Sequence, residues 1–187
     1  MTHVARAALS TDAVVEIALR VLDEDGPGAL TLSAVSGRAG VTTPSLYKHV
    51  SGLAELRALV SARVMNDIAD RAGHAVLGRS ADEAIHAFMT AWRRYVQQYP
   101  HRYSAFIQSP EPRTAEAATR LFDIITATLR AYGMEDSAAI HAARCLRAAV
   151  HGFAVLEAQG AFGLPEKLDE SYDLLIQMMI TGLRTPR

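Results

Sequence analysis

Nearly every segment of this 187-residue chain repeats its apolar residues at helical spacing, and none alternates as a strand does. That period confines the chain to an all-α fold of about nine helices. The first is expected to start at the Ser10-Thr11-Asp12 cluster. It carries Val14, Ala18, Val21 and Leu22 on one face, and Asp25-Gly26-Pro27-Gly28 stops it. The second starts near Thr31, turns Leu32, Val35 and Ala39 inward, and ends at Gly40, a residue free to take φ > 0. A short third helix is capped by Thr42 or Thr43, with Pro44 in its first turn. The fourth, over residues 53–72, has Leu53, Leu56, Leu59, Val60, Val64 and Ile68, and is long enough to join two units.

A larger unit is expected from residue 73 to 187, after a break between Gly73 and Gly78. Ser80-Ala81-Asp82-Glu83 reads as a capping box opening a helix that ends before Pro100. A short helix over residues 101–108 is closed by Pro110 and Pro112. Further helices are expected over residues 114–131, 137–159 and 169–182, the last with Asp169 as N-cap.

Composition narrows the function classes. No apolar run approaches the length of a membrane span, so no membrane partner is expected. Cys145 is the only cysteine and cannot form an internal disulfide, which favours a cytoplasmic, nucleoid-associated location. There is no Gly-rich phosphate loop, nucleophile elbow or paired-carboxylate constellation, so an enzyme is the least favoured reading. His141 and Cys145, spaced i,i+4, could form one edge of a metal site but lack further ligands. No cofactor and no metal are expected.

Residues 30–56 read as two short helices joined by a tight turn at Ala39-Gly40-Val41. This is a helix-turn-helix, whose second helix enters a DNA groove. The head is assigned to residues 10–52. Thr42, Thr43, Ser45, Tyr47 and Lys48 are the candidates to face the major groove. Thr31, Arg38, Pro44 and His49 complete the candidate DNA-binding set. Hydroxyls serve base edges or phosphates, while Tyr47 and His49 suit the backbone. The net charge is -1, with 19 Lys+Arg against 20 Asp+Glu, so positive charge must be local, at Arg38, Lys48 and Arg6 of an N-terminal arm. One short helix reads few base pairs, so a homodimer on a palindromic operator in double-stranded DNA is expected. Phe153, Leu156, Leu174, Leu175 and Met178, on the last two helices, are the candidate dimer surface.

The middle helices cluster aromatics with a few cations. Phe88, Trp92, Tyr95, Tyr103, Phe106 and Phe122, with Arg144, Arg147 and His151, are the candidate lining of a small-molecule site. The competing reading is plain core packing. Arg147 reads either as a salt-bridged surface residue or as an anchor for an acidic ligand.

The Leu30-Thr31 junction, the Ala39-Gly40-Val41 turn and Pro44-Ser45-Leu46-Tyr47-Lys48-His49-Val50 resemble the TetR family of transcriptional regulators. Val150-His151-Gly152-Phe153 and Gly160-Ala161-Phe162-Gly163-Leu164-Pro165 resemble a subgroup with a Trp-His-Gly signature, with Arg147 where that subgroup has Trp. The family often places Lys at the start of helix four, where this chain has Gly52. The resemblance implies a repressor whose small-molecule effector re-spaces two reading heads and releases DNA. The alternatives are an activator or nucleoid-associated factor of the same fold, or a small-molecule-binding protein with a weak or vestigial head.

Overall fold

A computed structural model describes residues 9–106 and 112–185. Arg6 and the Pro110 break lie outside the described residues. Within them are nine α-helices, three short 3-10 turns and no strand. The α-helices are α1 (Thr11–Asp25), α2 (Leu32–Ala39), α3 (Thr43–Leu46), α4 (Leu53–Val76), α5 (Ala81–Gln98), α6 (Pro100–Ser104), α7 (Ala115–Leu129), α8 (Asp136–Ala158) and α9 (Leu168–Arg184).

The three head helices begin and end where local chemistry places them. The Ser10 hydroxyl accepts the Ala13 N–H at 3.1 Å, and Thr31 does the same for Ala34 at 3.1 Å. Gly40, at φ 64°, ends α2 in the left-handed region, which a Cβ would disfavour. Val14, Leu19, Leu22, Leu30, Val35, Leu46 and Val50 fill the space between these helices. Leu56 and Val60 of α4 continue that core toward the second unit.

In the larger unit α4 packs on α5 and α7, α8 covers both of those helices, and α9 lies across α5 and α8. Short α6 leaves this bundle to touch α1. None of the helices, searched over the described residues, is long and apolar enough to cross a membrane.

Three expectations change. Helix four runs through Gly73 to Val76 rather than ending at residue 72. Gly73 lies beside Ile124 of α7, and a Cβ there would make an ordinary contact with Ile124 Cδ1 at 3.4 Å. The capping box at Ser80 does not form. Ala81 sits at φ 45°, the Ser80 side chain makes no cap bond, and Asp82 is drawn to Arg184 and to the Tyr132 hydroxyl. Asp169 lies in the first turn of α9 instead of capping it, because it pairs with Arg93 at 2.9 Å.

Candidate nucleic-acid interface and bundle cavity

The turn at Gly40 brings α2 and α3 together so that Ser36 and Thr43 share a hydrogen bond of 2.9 Å between their hydroxyls. Ser36 is buried, so this bond fixes the register of α3 against α2. Nothing in the candidate list included Ser36; its signal was a hydroxyl on the inward face of α2. Thr42 and Ser45 hydroxyls are 3.0 Å apart across the first turn of α3. At the far end, the Thr11 hydroxyl donates to the His49 carbonyl at 3.2 Å, tying the start of α1 to the loop after α3.

These bonds sort the candidate DNA-binding residues. Thr31 is an N-cap. Thr43, Ser45 and His49 are half-buried, and Thr42 and Pro44 are exposed. Tyr47 is 57% exposed and Lys48 is fully on the wet side, and no hydrogen bond or ion pair among the described residues engages either side chain. Arg38 differs from expectation. Its guanidinium is clamped to Glu24 and, at 2.7 Å, to Asp25 at the end of α1. Its charge is spent locally, which leaves Lys48 as the cation of the α3 face. At the start of α4 the Ser51 N–H is already taken by Glu55, whose carboxylate also holds Arg113. That hydrogen bond and the nearby guanidinium hold the Glu55 carboxyl below its ordinary range.

The bundle encloses a cavity of about 330 Å3 between α4, α5, α7 and α8. Trp92, Phe106, Phe122, Arg144 and Arg147 line it. Its other walls come from residues the list missed, including Leu121 and Ile125 on α7 and Ile140 and Ala143 on α8. The signal was present as two i, i+3, i+4, i+7 strips, 118–121–122–125 and 140–143–144–147.

Four expected lining residues stand elsewhere. Phe88 is core, packed edge-on against Trp92 with centroids 5.8 Å apart. Tyr95 is buried beside Tyr99 and beneath Arg71, and its hydroxyl has no hydrogen-bond partner among the described residues. Burial raises the pKa of that hydroxyl above the usual tyrosine range. Tyr103 and His151 border a second space of about 320 Å3, which Phe106 also lines. They belong to a polar chain: Trp92 Nε1 donates to the Tyr103 oxygen at 3.1 Å, and that hydroxyl lies 2.9 Å from His151 Nδ1. Burial, and then the charge of Arg147, lower the pKa of His151. His141 and Cys145 are both exposed on α8. No group of three or more metal-ligating side chains occurs among the described residues.

Helix α6 joins the two regions. Tyr103 and Phe106, at and just beyond its end, face the bundle spaces. On its other side Arg102 grips Asp23 of α1 through two bonds of 2.8 and 2.5 Å, and His101 Nδ1 lies 3.1 Å from the Leu22 carbonyl oxygen.

The candidate dimer residues divide. Leu156, Leu174 and Met178 are 43%, 61% and 63% exposed. Phe153 and Leu175 are half-buried, and Phe153 packs on Tyr172 with ring centroids 4.9 Å apart. Behind this face Arg93 is held by Glu157 through two bonds of 2.7 and 2.6 Å, which places α5 against α8.

Residues 85–179 match the family profile described as the tetracyclin repressor-like C-terminal domain. The chain is 38% identical over 158 residues to the uncharacterized HTH-type transcriptional regulator Rv0681 of Mycobacterium tuberculosis, covering 82% of this chain and 72% of that one. It is 31% identical over 180 residues to the uncharacterized HTH-type transcriptional regulator YobS of Bacillus subtilis, covering 95% and 94%. Among solved structures, a Rhodococcus protein of unknown function superposes with a TM-score of 0.81 at 19% identity, covering 98% of this chain and 100% of that one. A TetR variant from Acinetobacter baumannii in complex with minocycline superposes with a TM-score of 0.76 at 19% identity, covering 95% and 99%.

Proposed function

Since the chain belongs to the TetR family of transcriptional regulators, we propose that it is a homodimeric repressor whose DNA grip is released by a small molecule in the bundle. In this reading α3 enters the major groove with Tyr47 and Lys48 foremost. Thr42 adds a hydroxyl, and Ser36 holds α3 in register through Thr43. The outward apolar residues Leu156, Leu174 and Met178 join two copies, so that two short helices read a palindromic operator.

The observation that carries the reading is the double attachment of α6. One short helix is bonded to the head through Arg102 and His101, and it also presents Tyr103 to the bundle interior. A ligand that displaces Phe106 or Trp92 pushes on the element that sets the angle of α1. Two heads on a dimer then lose the spacing their half-sites demand.

The neutralised Arg38 and the carboxylate at the start of α4 favour a second reading, a ligand-binding protein with a weak head. Fluorescence anisotropy with the DNA upstream of the chain's own gene separates them. The repressor reading expects salt-sensitive binding that a Tyr47→Ala, Lys48→Ala double variant loses by at least about a hundredfold, with its dimer intact. A flat titration at low salt overturns it in favour of the weak head.

A further inference from the structure

The cavity between α4, α5, α7 and α8 is walled by hydrocarbon over most of its surface. Met65, Ile68, Leu121, Phe122, Ile125 and Ile140 supply much of it. Trp92 adds its ring alone, because its one polar atom is already engaged by Tyr103. The charged groups on the lining are the guanidinium groups of Arg144 and Arg147, one turn apart on α8, and no carboxylate lines the cavity among the described residues. Arg144 has no acidic partner among the described residues and stands exposed at the rim.

Building on the effector-binding reading, we infer that the cavity takes a compact amphipathic anion. Its apolar tail lies against Trp92, Phe122 and Ile125, and its carboxylate or similar group pairs with Arg144 at the rim. The chemistry excludes the other classes. A cationic ligand would face two like charges. A polar neutral ligand would find few partners on hydrocarbon walls, and each unpaired polar group would cost desolvation. An anion gains a charge-assisted, two-pronged bond to a planar guanidinium that stays in contact with water, so little desolvation opposes it. Size points the same way. A cavity of about 330 Å3 lies at the small end of the range for ligand sites, which suits a compact acid such as a medium-chain fatty acid or an aryl-alkyl acid.

The chain carries a reporter for this site, because Trp92 is its only tryptophan and lines the cavity. The experiment titrates the full-length protein with decanoate, decanol and decylammonium, three probes with the same tail, and follows tryptophan emission. Decanoate is expected to bind at least tenfold more tightly than decanol, and decylammonium most weakly. Arg144→Ala is expected to bring decanoate down to the affinity that the same variant shows for decanol, and Arg144→Lys to keep a reduced preference for decanoate. Equal binding of decanoate and decanol, or a preference that survives Arg144→Ala, overturns the anion assignment and leaves a ligand cavity standing. If none of the three probes changes the emission of Trp92, the assignment falls together with the reading of the cavity as an effector site.

Discussion

The head and the bundle are both helical, yet they are packed from different material. The head is filled by Val14, Leu19, Leu22, Leu30, Val35 and Leu46, with no buried aromatic residue. The bundle buries Phe88, Trp92, Tyr95, Tyr103 and Tyr172. Branched aliphatics interdigitate closely, and no head residue lines either of the two spaces described in the bundle. In the bundle Trp92 stands on the cavity wall with Phe88 packed edge-on against it. The head is therefore packed to hold one shape, while the bundle keeps open space beside its rings.

The hardest test of that contrast is Leu46→Ala. Leu46 is fully buried where α3 meets the head core, so truncation should cost about 3 kcal/mol, with little space for collapse. DNA binding should vanish with the register of α3, while apolar probes still change Trp92 emission. Differential denaturation followed by circular dichroism and by tryptophan emission measures both. A cost below about 1 kcal/mol would mean that the head is loosely packed and that the contrast fails.

Glu157→Gln comes next and probes what replaces tight filling in the bundle. Arg93 lies almost wholly inside, over the Tyr172 ring at 4.6 Å and gripped by Glu157. Removing the carboxylate leaves a buried guanidinium with Asp169 and the rings of Tyr172 and Phe153, at an expected cost of about 2 kcal/mol. Arg93, and secondarily Gln97, hold the Glu157 carboxyl below its ordinary range. Its stabilising share is thus present at neutral pH and lost as acid carries the pH below 4.5 and through the depressed value. Urea denaturation at pH 7 and at pH 4 should show the gap between wild type and variant narrowing in acid.

What could be read from sequence follows the reach of each interaction. Ser10, Thr31 and Gly40 mark helix ends because their partners lie within a turn, so the start of α1 and both ends of α2 were legible to within a residue or two. The failures are charges with distant partners. Asp82 at the start of α5 pairs with Arg184 at the far end of the chain, Asp169 leaves its N-cap role for Arg93, and Arg38 gives its charge to α1. Composition places these residues on helix ends, but only the packing of α9 on α5, or of α2 on α1, decides whom they meet. The cavity divides in the same way. Phe106, Phe122 and Arg144 were legible as lining residues, whereas Tyr95 carries the same chemical signature and is turned toward α4 and α6.

Arg102→Gln tests the joint rather than either side of it. The pair with Asp23 is partly shielded from water, so its loss should cost about 1 kcal/mol of global stability. The local effect should be larger. Amide hydrogen exchange in the last turn of α1, residues 22–25, should quicken severalfold, while α8 is unchanged. Equal exchange in both proteins would show that α6 does not restrain the head, and the route from cavity to α1 would be lost with it.

The smallest effect expected comes from His151, at the end of the polar chain that runs from Trp92 through Tyr103. Burial and the neighbouring Arg147 disfavour its protonation in the folded protein, so its folded pKa lies below the ordinary 6.5. The unfolded chain takes up that proton first as the pH falls. Stability due to this group is therefore complete above pH 6.5, and it declines from there down to the folded pKa. Half-exposure limits the loss, and a fall of about 2 °C in Tm between pH 7.5 and 5.5 is expected beyond that of a His151→Gln variant. The glutamine keeps a polar atom near the Tyr103 hydroxyl but cannot titrate, so the difference between the two proteins isolates the histidine. Parallel curves would mean that the imidazole accommodates its proton, and that the bundle interior is wetter than its aromatic walls imply. A larger fall in wild type would make the polar chain, rather than the ring packing, the part of the bundle most easily loosened.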